Sequence, residues 1–425
     1  MKTVCLTLIL ITGLTRPLLA IPQEFFGNGT FFGPVIPSQP SFGADLTGDF
    51  LSEANWQSGD FPGPWTDSPA LEGETIKRMT SSPILFGAVP MSVFAYFRGD
   101  QLQEISINYL NAGAFFGFTP GGESEKAQKA SGKQKRSEFD DHFDQLERDL
   151  RDRLRKGCGR SRDRSVGRSD LLRTTFSDFR WEDFTLRLAA REDHSISLHL
   201  TRSEELPETF LDETSESMKR RDREAQFVEQ IRRTERGDLL LGELPTFHQG
   251  NTPFCGVHTL GMAAHYLGLR MHTEGLEASA DFKNTGSAAG SKMIDVYRAV
   301  AEELRMRVSV TSKFDAERVR RSLEDGMPVI VWRRVSRERE DAHTRNASTI
   351  ASSPSTPLPE ITDELRSTWP RRDYSHPSHA SVINGINESR GEVIFTEPWG
   401  QAARDRRMHF EEMEATTYAV FYFSL

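Results

Sequence analysis

The segment Pro245-Thr-Phe-His-Gln249-Gly-Asn-Thr-Pro-Phe-Cys255-Gly256 leads into an apolar run through Leu260, Met262, Ala263, Ala264 and Leu267 that stops at Gly268. This spacing predicts a helix with Cys255 in or beside its first turn. A helix start presents unpaired N–H groups and a partial positive charge, which favour thiolate over thiol, and thiolate is the nucleophile. Gln249 stands six positions upstream, on the loop that leads to the helix. Its amide can donate a hydrogen bond beside the Cys255 N–H, and two such donors are what a tetrahedral oxyanion needs. Far downstream, His379-Ala-Ser-Val-Ile-Asn-Gly385 reads as one strand and Ile394-Phe-Thr-Glu397-Pro-Trp-Gly400 as the end of the next. If the two pair as a hairpin, His379 can face Cys255 while Glu397 or a neighbour accepts from its second ring nitrogen. That is a nucleophile, a base and an orienter.

Other readings compete for the same residues. A cysteine at a helix start is by itself more often a small buried apolar group. His376 is a second candidate base, and Trp399 reads as core packing beneath its turn. His248, His258, His265 and His272 suggest a metal site, with His258 and His265 two helical turns apart, but no further Cys or carboxylate completes a ligand spacing. Neither a metal nor a cofactor is therefore expected.

These residues need a scaffold, and the chain is long enough to supply one. Its 425 residues allow two or three domains, and 37% hydrophobic with 10% aromatic residues excludes a wholly disordered protein. The net charge of -9 argues against nucleic acid as a partner. Residues 1–20, MKTVCLTLILITGLTRPLLA, have a basic start, a short apolar run and a small residue at Ala20. This is the pattern of a secretory signal peptide, too short for a membrane span, so a secreted or periplasmic protein without lasting membrane insertion is expected. Cys5 leaves with that segment, and Cys158 and Cys255 remain. The sequons at Asn28, Asn346 and Asn387 matter only in a eukaryotic secretory pathway.

Residues 21–70 read as an extended Gly/Pro/Phe-rich leader whose aromatics pin it to a domain surface. Residues 71–236 read as an α+β domain of unknown role and unknown partner. Two hairpins, Val93–Phe97 with Leu102–Tyr109 and Phe184–Leu188 with Ile196–Leu200, flank a helix that aligns Phe139, Phe143, Leu146, Leu150 and Leu154 on one face. The Arg-rich run 148–173 is interleaved with Asp149, Asp152, Asp163 and Asp170, which makes it a solvated face. A charged helix from Ser217 to Arg236 then leads into residues 237–425, a second α+β unit carrying the Cys255 helix and the His379 strand. Residues 335–375, rich in Arg, Ser, Thr and Pro, form an insertion with two readings, a disordered excursion or a lid over the cleft.

The Gln249-x5-Cys255-Gly256 loop and helix, the His379-Ala-Ser-Val-Ile-Asn-Gly385 strand and the Glu397-Pro-Trp-Gly400 turn together resemble the peptidase C39-like branch of the papain-like cysteine peptidases. The resemblance covers roughly residues 238–425 and implies a Cys-bearing helix packed on an antiparallel sheet that carries the His. It implies Cys255 as nucleophile, His379 as general base, Gln249 as oxyanion-hole amide and Glu397 as third member. Relatives usually place Asp or Asn before the Trp-Gly turn. Glu397 is one methylene longer and must fold back, so a loosely held and tolerant third position is expected, and Val257 stands where relatives often have Pro. The implied function is a secreted cysteine-dependent hydrolase acting on peptide or amide bonds of a peptide or protein through an acyl-enzyme, with no cofactor. The alternatives are acyl transfer to an amine and a non-catalytic descendant that binds peptides or a partner.

Overall fold

The computed structural model describes residues 45–68, 73–81, 83–112, 115, 125–202, 209–242, 244–247, 249, 254–280, 293–372 and 376–425. The expected signal peptide and most of the leader lie outside them. Two antiparallel sheets dominate the described residues. The first contains β1 (Trp65–Ser68), β2 (Glu74–Met79), β3 (Ser92–Arg98), β4 (Gln101–Asn111), β5 (Arg162–Val166), β6 (Thr174–Trp181), β7 (Phe184–Arg191) and β8 (Ser195–Thr201). Its order, β1-β2-β3-β4-β8-β7-β6-β5, is two four-stranded meanders joined edge to edge through β4 and β8.

Strict alternation gives this sheet two unlike faces. Ile105 and Ile107 register with Leu200 and Leu198, and these with Leu186 and Leu188. That apolar face buries Phe139, Phe143, Leu150 and Leu154 of the Glu125–Cys158 helix. The opposite face carries Ser106, Asn108, Arg187, Ser197 and His199, and these are buried too, against the C-terminal half. The leader expectation fails from residue 45 onward. Thr47–Phe50 and Glu53–Ser58 are helical, and Phe50, Trp56 and Phe61 lie inside the first core instead of pinning a strap to its surface. The expected 217–236 helix is likewise shorter: it covers Arg220–Glu229, with a separate short helix before it at Glu213–Ser217 and a short strand after it.

The second sheet contains β9 (Arg232–Arg233), β10 (Leu239–Leu240), β11 (Arg307–Thr311), β12 (Val329–Arg334), β13 (Ser378–Asn387), β14 (Glu392–Thr396), β15 (Arg406–His409) and β16 (Thr417–Ser424). Its central run is β11-β16-β12-β13, with β14 and β15 added beyond β13. The Cys255–Tyr266 helix packs on β13, and Thr259, one turn after Cys255, donates to the Ala380 carbonyl at 3.1 Å. The Asn387 sequon is not available for modification, because that side chain is fully buried and donates to Asp238 at 2.7 Å and to the Arg236 carbonyl at 3.0 Å.

The insertion is neither structureless nor a free lid. Ser336 accepts from the Arg339 amide and caps a helix over Arg337–Ser352, and a short helix follows at Asp363–Ser367. The longer helix lies along β15 and buries charged groups. Glu340 accepts from Arg333 at 2.6 and 3.0 Å and from Arg406 at 2.6 Å, while Arg339 and His343 both reach Glu412. Removing one member of a buried ion-pair set strands its partners, at about 3–5 kcal/mol. Glu340→Ala should lose stability of that order in urea unfolding, whereas Glu338→Ala on the exposed side of the same helix should stay within about 0.5 kcal/mol.

Candidate active site

Register explains how the site assembles. His379 on β13 is opposite Arg333 on β12, and Val331 is opposite Ser381, so Arg333, His379 and Ser381 share one face of the sheet. Glu397 follows β14, the neighbour of β13 on its other side. His379 Nε2 lies 2.8 Å from Glu397 Oε2, both side chains being fully buried. The His379 side chain also hydrogen-bonds Cys255.

The start of the Cys helix is fixed from behind. Tyr297 donates to the Gly256 carbonyl at 3.2 Å and accepts from the Trp332 indole at 3.2 Å. Burial by itself pushes the Cys255 thiol up. The His379 hydrogen bond and charge, with backbone hydrogen bonds from Ala380 and Gly256, outweigh it and hold the thiol below its ordinary value. Burial likewise disfavours the His379 imidazolium, yet the Glu397 charge and the bonds to Cys255 and Glu397 raise it to about 9. Cys158 has no such help: it is half-buried, burial pushes its thiol up, and neither cysteine is in a disulfide.

Glu397 is not loosely held, contrary to the expectation for its longer side chain. Oε2 takes His379, while Oε1 accepts from Arg333 and, at 2.8 Å, from Ser381. Arg333 donates from Nε to Ser381 at 3.0 Å and from its two Nη groups to Glu340. Burial raises the Glu397 carboxyl, but His379 and Arg333 more than compensate and keep it ionised. The extra methylene lets one carboxylate span His379 and Arg333 together.

Gln249 is buried, and its backbone N–H donates to the Pro398 carbonyl at 3.0 Å, which ties the candidate oxyanion residue to the turn bearing Glu397. Trp399 is more than packing: its ring lies 4.6 Å from that of His379 at an interplanar angle of 30°, with the Arg406 guanidinium 5.2 Å from the indole. Asn384, on the same strand as His379, bonds Asp405 and Thr396. His376 lies ahead of β13, where its carbonyl accepts from Arg334. His258 and His265 do not pair: the first meets the Phe254 carbonyl, the second Glu74 and Arg270.

Residues 242–424 match the model of the Peptidase_C39 like family. No curated protein and no solved structure matches the chain. The C39-like region therefore contains Gln249, Cys255, His379 and Glu397 together with the Arg337–Ser352 helix, while the whole first sheet precedes it. Arg333, Ser381 and Glu340 were not singled out from sequence, and Trp399 was read only as core packing. The signal for Trp399 was present in its place beside Glu397, but a buried Arg and Glu leave no trace in a charge pattern.

The two shifts define a pH window. The thiolate exists above the lowered Cys255 value and the imidazolium below the raised His379 value of about 9, so the ion pair occupies the pH range between the two. At limiting iodoacetamide and pH 7, Cys255 should be alkylated at least about tenfold faster than Cys158. Glu397→Gln removes the main upward influence on His379, so the imidazolium should be lost at a lower pH. Histidine NMR titration of both proteins reads this directly, and an unchanged His379 midpoint would contradict the assignment.

Proposed function

We propose that the C39-like region is a cysteine peptidase with a papain-like arrangement, in which Cys255 attacks a peptide or amide carbonyl. The observation that carries this reading is His379 bonded at once to Cys255 and Glu397, with the thiol depressed and the imidazole raised. Cys255 forms the new C–S bond while His379 holds the proton. The imidazolium then protonates the leaving amine, and the acyl-enzyme is hydrolysed by a water that His379 deprotonates. Gln249 and the Cys255 N–H stabilise the oxyanion in both steps. Residues 1–20 support export of the chain to a secreted or periplasmic location. The described residues include no helix long and apolar enough to cross a membrane.

Treatment of the chain with a peptidyl epoxide tests the reading. A covalent adduct at Cys255, absent from Cys255→Ala and from reduced and unfolded protein, is the expected result. No adduct from a folded chain would favour a descendant that only binds peptides, and amine-dependent product formation would favour acyl transfer. Once a substrate is found, Gln249→Ala should reduce kcat by roughly a hundred- to a thousandfold with little change in KM, because the lost donor acts on the transition state.

A further inference from the structure

The polar face of the first sheet brings a second set of chemistry-bearing residues together, away from Cys255. Tyr96 on β3 is in register with Glu104 on β4, and His199 on β8 is in register with Ser106, two residues further along the same face. His272 arrives from the other half of the chain, as the residue that caps the Thr273–Ser279 helix. Glu104 Oε1 lies 2.8 Å from His199 Nδ1 and 2.7 Å from His272 Nε2. The two imidazoles stack with centroids 4.5 Å apart at 27°. One ligand atom from each of the three residues falls within 4.8 Å of the others.

We propose that Glu104, His199 and His272 form a binding site for a borderline divalent cation, Zn2+ before others, that clasps the first sheet to the C39-like region. Two imidazoles and a carboxylate are a donor set suited to zinc, with a fourth position left for water. The second observation lies behind the ligands. His199 Nε2 is 3.0 Å from Ser197 Oγ, and His272 Nδ1 is 3.3 Å from the Tyr96 hydroxyl. Each histidine thus turns one nitrogen to Glu104 and has a hydroxyl on the other, which is how ligating histidines are oriented. A hydroxyl both donates and accepts, so each ring can move its proton to the outer nitrogen and keep the bond there, exchanging its inner hydrogen bond to Glu104 for coordination of a cation. Strands of the first sheet hold Glu104, His199, Ser197 and Tyr96, so four of the five parts sit on rigid backbone. The ligands are 95 and 168 positions apart in the pairs that meet, so no sequence spacing announces them.

The test uses the full chain as Cys255→Ala, which removes a thiolate that would itself take zinc. After chelator treatment and dialysis, the protein is titrated with Zn2+ alone by calorimetry and its thermal unfolding is followed. One equivalent should bind and raise Tm. His272→Gln and Glu104→Gln should each weaken binding by at least about a hundredfold, and Ser197→Ala or Tyr96→Phe, which keep every ligand, by about ten- to a hundredfold. Should a ligand variant fail to fold, the Ser197 and Tyr96 variants still decide. Absence of stoichiometric binding, or binding unchanged in the ligand and hydroxyl variants alike, would overturn the proposal and leave Glu104 as a plain hydrogen-bonded bridge between the halves.

Discussion

A thiolate and an imidazolium side by side in a buried site can exist only if the charge behind them is in order, and in this protein that order is a chain of alternating sign. Behind Cys255, the groups His379, Glu397, Arg333, Glu340 and Arg406 succeed one another as cation, anion, cation, anion and cation, each in contact with the next. Burying any of these charges alone would cost several kcal/mol, and the penalty is offset only when every neighbour is placed and hydrogen-bonded. Arg333 has two tasks: it keeps the Glu397 carboxylate ionised, and it holds that carboxylate so that only Oε2 is left for His379. An Asp at this position could reach the histidine or the arginine but would have difficulty reaching both. The glutamate is therefore matched to the arginine opposite it, and its length follows from that match.

The same chain explains why the insertion is part of the fold. Glu340 comes from the Arg337–Ser352 helix, and Arg406 from β15, beneath it. His343 of that helix stacks edge-on against Phe395, 5.7 Å away, and the guanidinium groups of Arg333 and Arg406 also lie over the Phe395 ring. Closure over a cleft would require this helix to withdraw Glu340 from two buried arginines. Its attachment is electrostatic and internal, so it serves as a wall behind the site.

This also marks where reading the sequence succeeds and where it stops. Elements whose buried side is apolar were legible: the Cys255–Tyr266 helix, the hairpins around Arg98 and Asp193, the β12 and β13 strands and the helix aligning Phe139 with Leu154 all follow from period and turn chemistry. The candidates Gln249, Cys255, His379 and Glu397 stood out because their residue types are rare in combination, and the structure brings His379 against Glu397 and Cys255. The Arg337–Ser352 helix was not, because most of what it buries is charged, namely Arg339, Glu340 and His343, and a hydrophobic period cannot find a face of that kind. The first sheet shows a related limit. Alternation in β4 and β8 reads as one core face and one solvent face, yet Ser106, Asn108, Ser197 and His199 are buried against the other half. Periodicity separates polar from apolar; it does not say whether the polar side meets water or protein.

That buried polar face decides how the two halves depend on each other. Glu74 on β2 bonds Arg270 at 2.8 Å and His265 at 3.0 Å, and Glu104 bonds His272, so the contacts converge on the end of the Cys helix and the residues just after it. Glu303 reaches the other way. It is fully buried, and its carboxylate accepts from the backbone amides of Arg168 at 2.6 Å and Phe210 at 3.1 Å. Apolar packing crosses the same boundary, since Val166, Leu172, Phe176 and Ala189 belong to one cluster with Leu267, Leu269 and Leu304. A C39-like region cut at residue 242 would keep its four candidate catalytic residues. It would also expose that apolar surface and leave Glu303, His265 and His272 without the groups that satisfy them, and unsatisfied buried polar groups cost more than their bonds contribute when made. The first sheet is thus a structural requirement of the helix that presents Cys255.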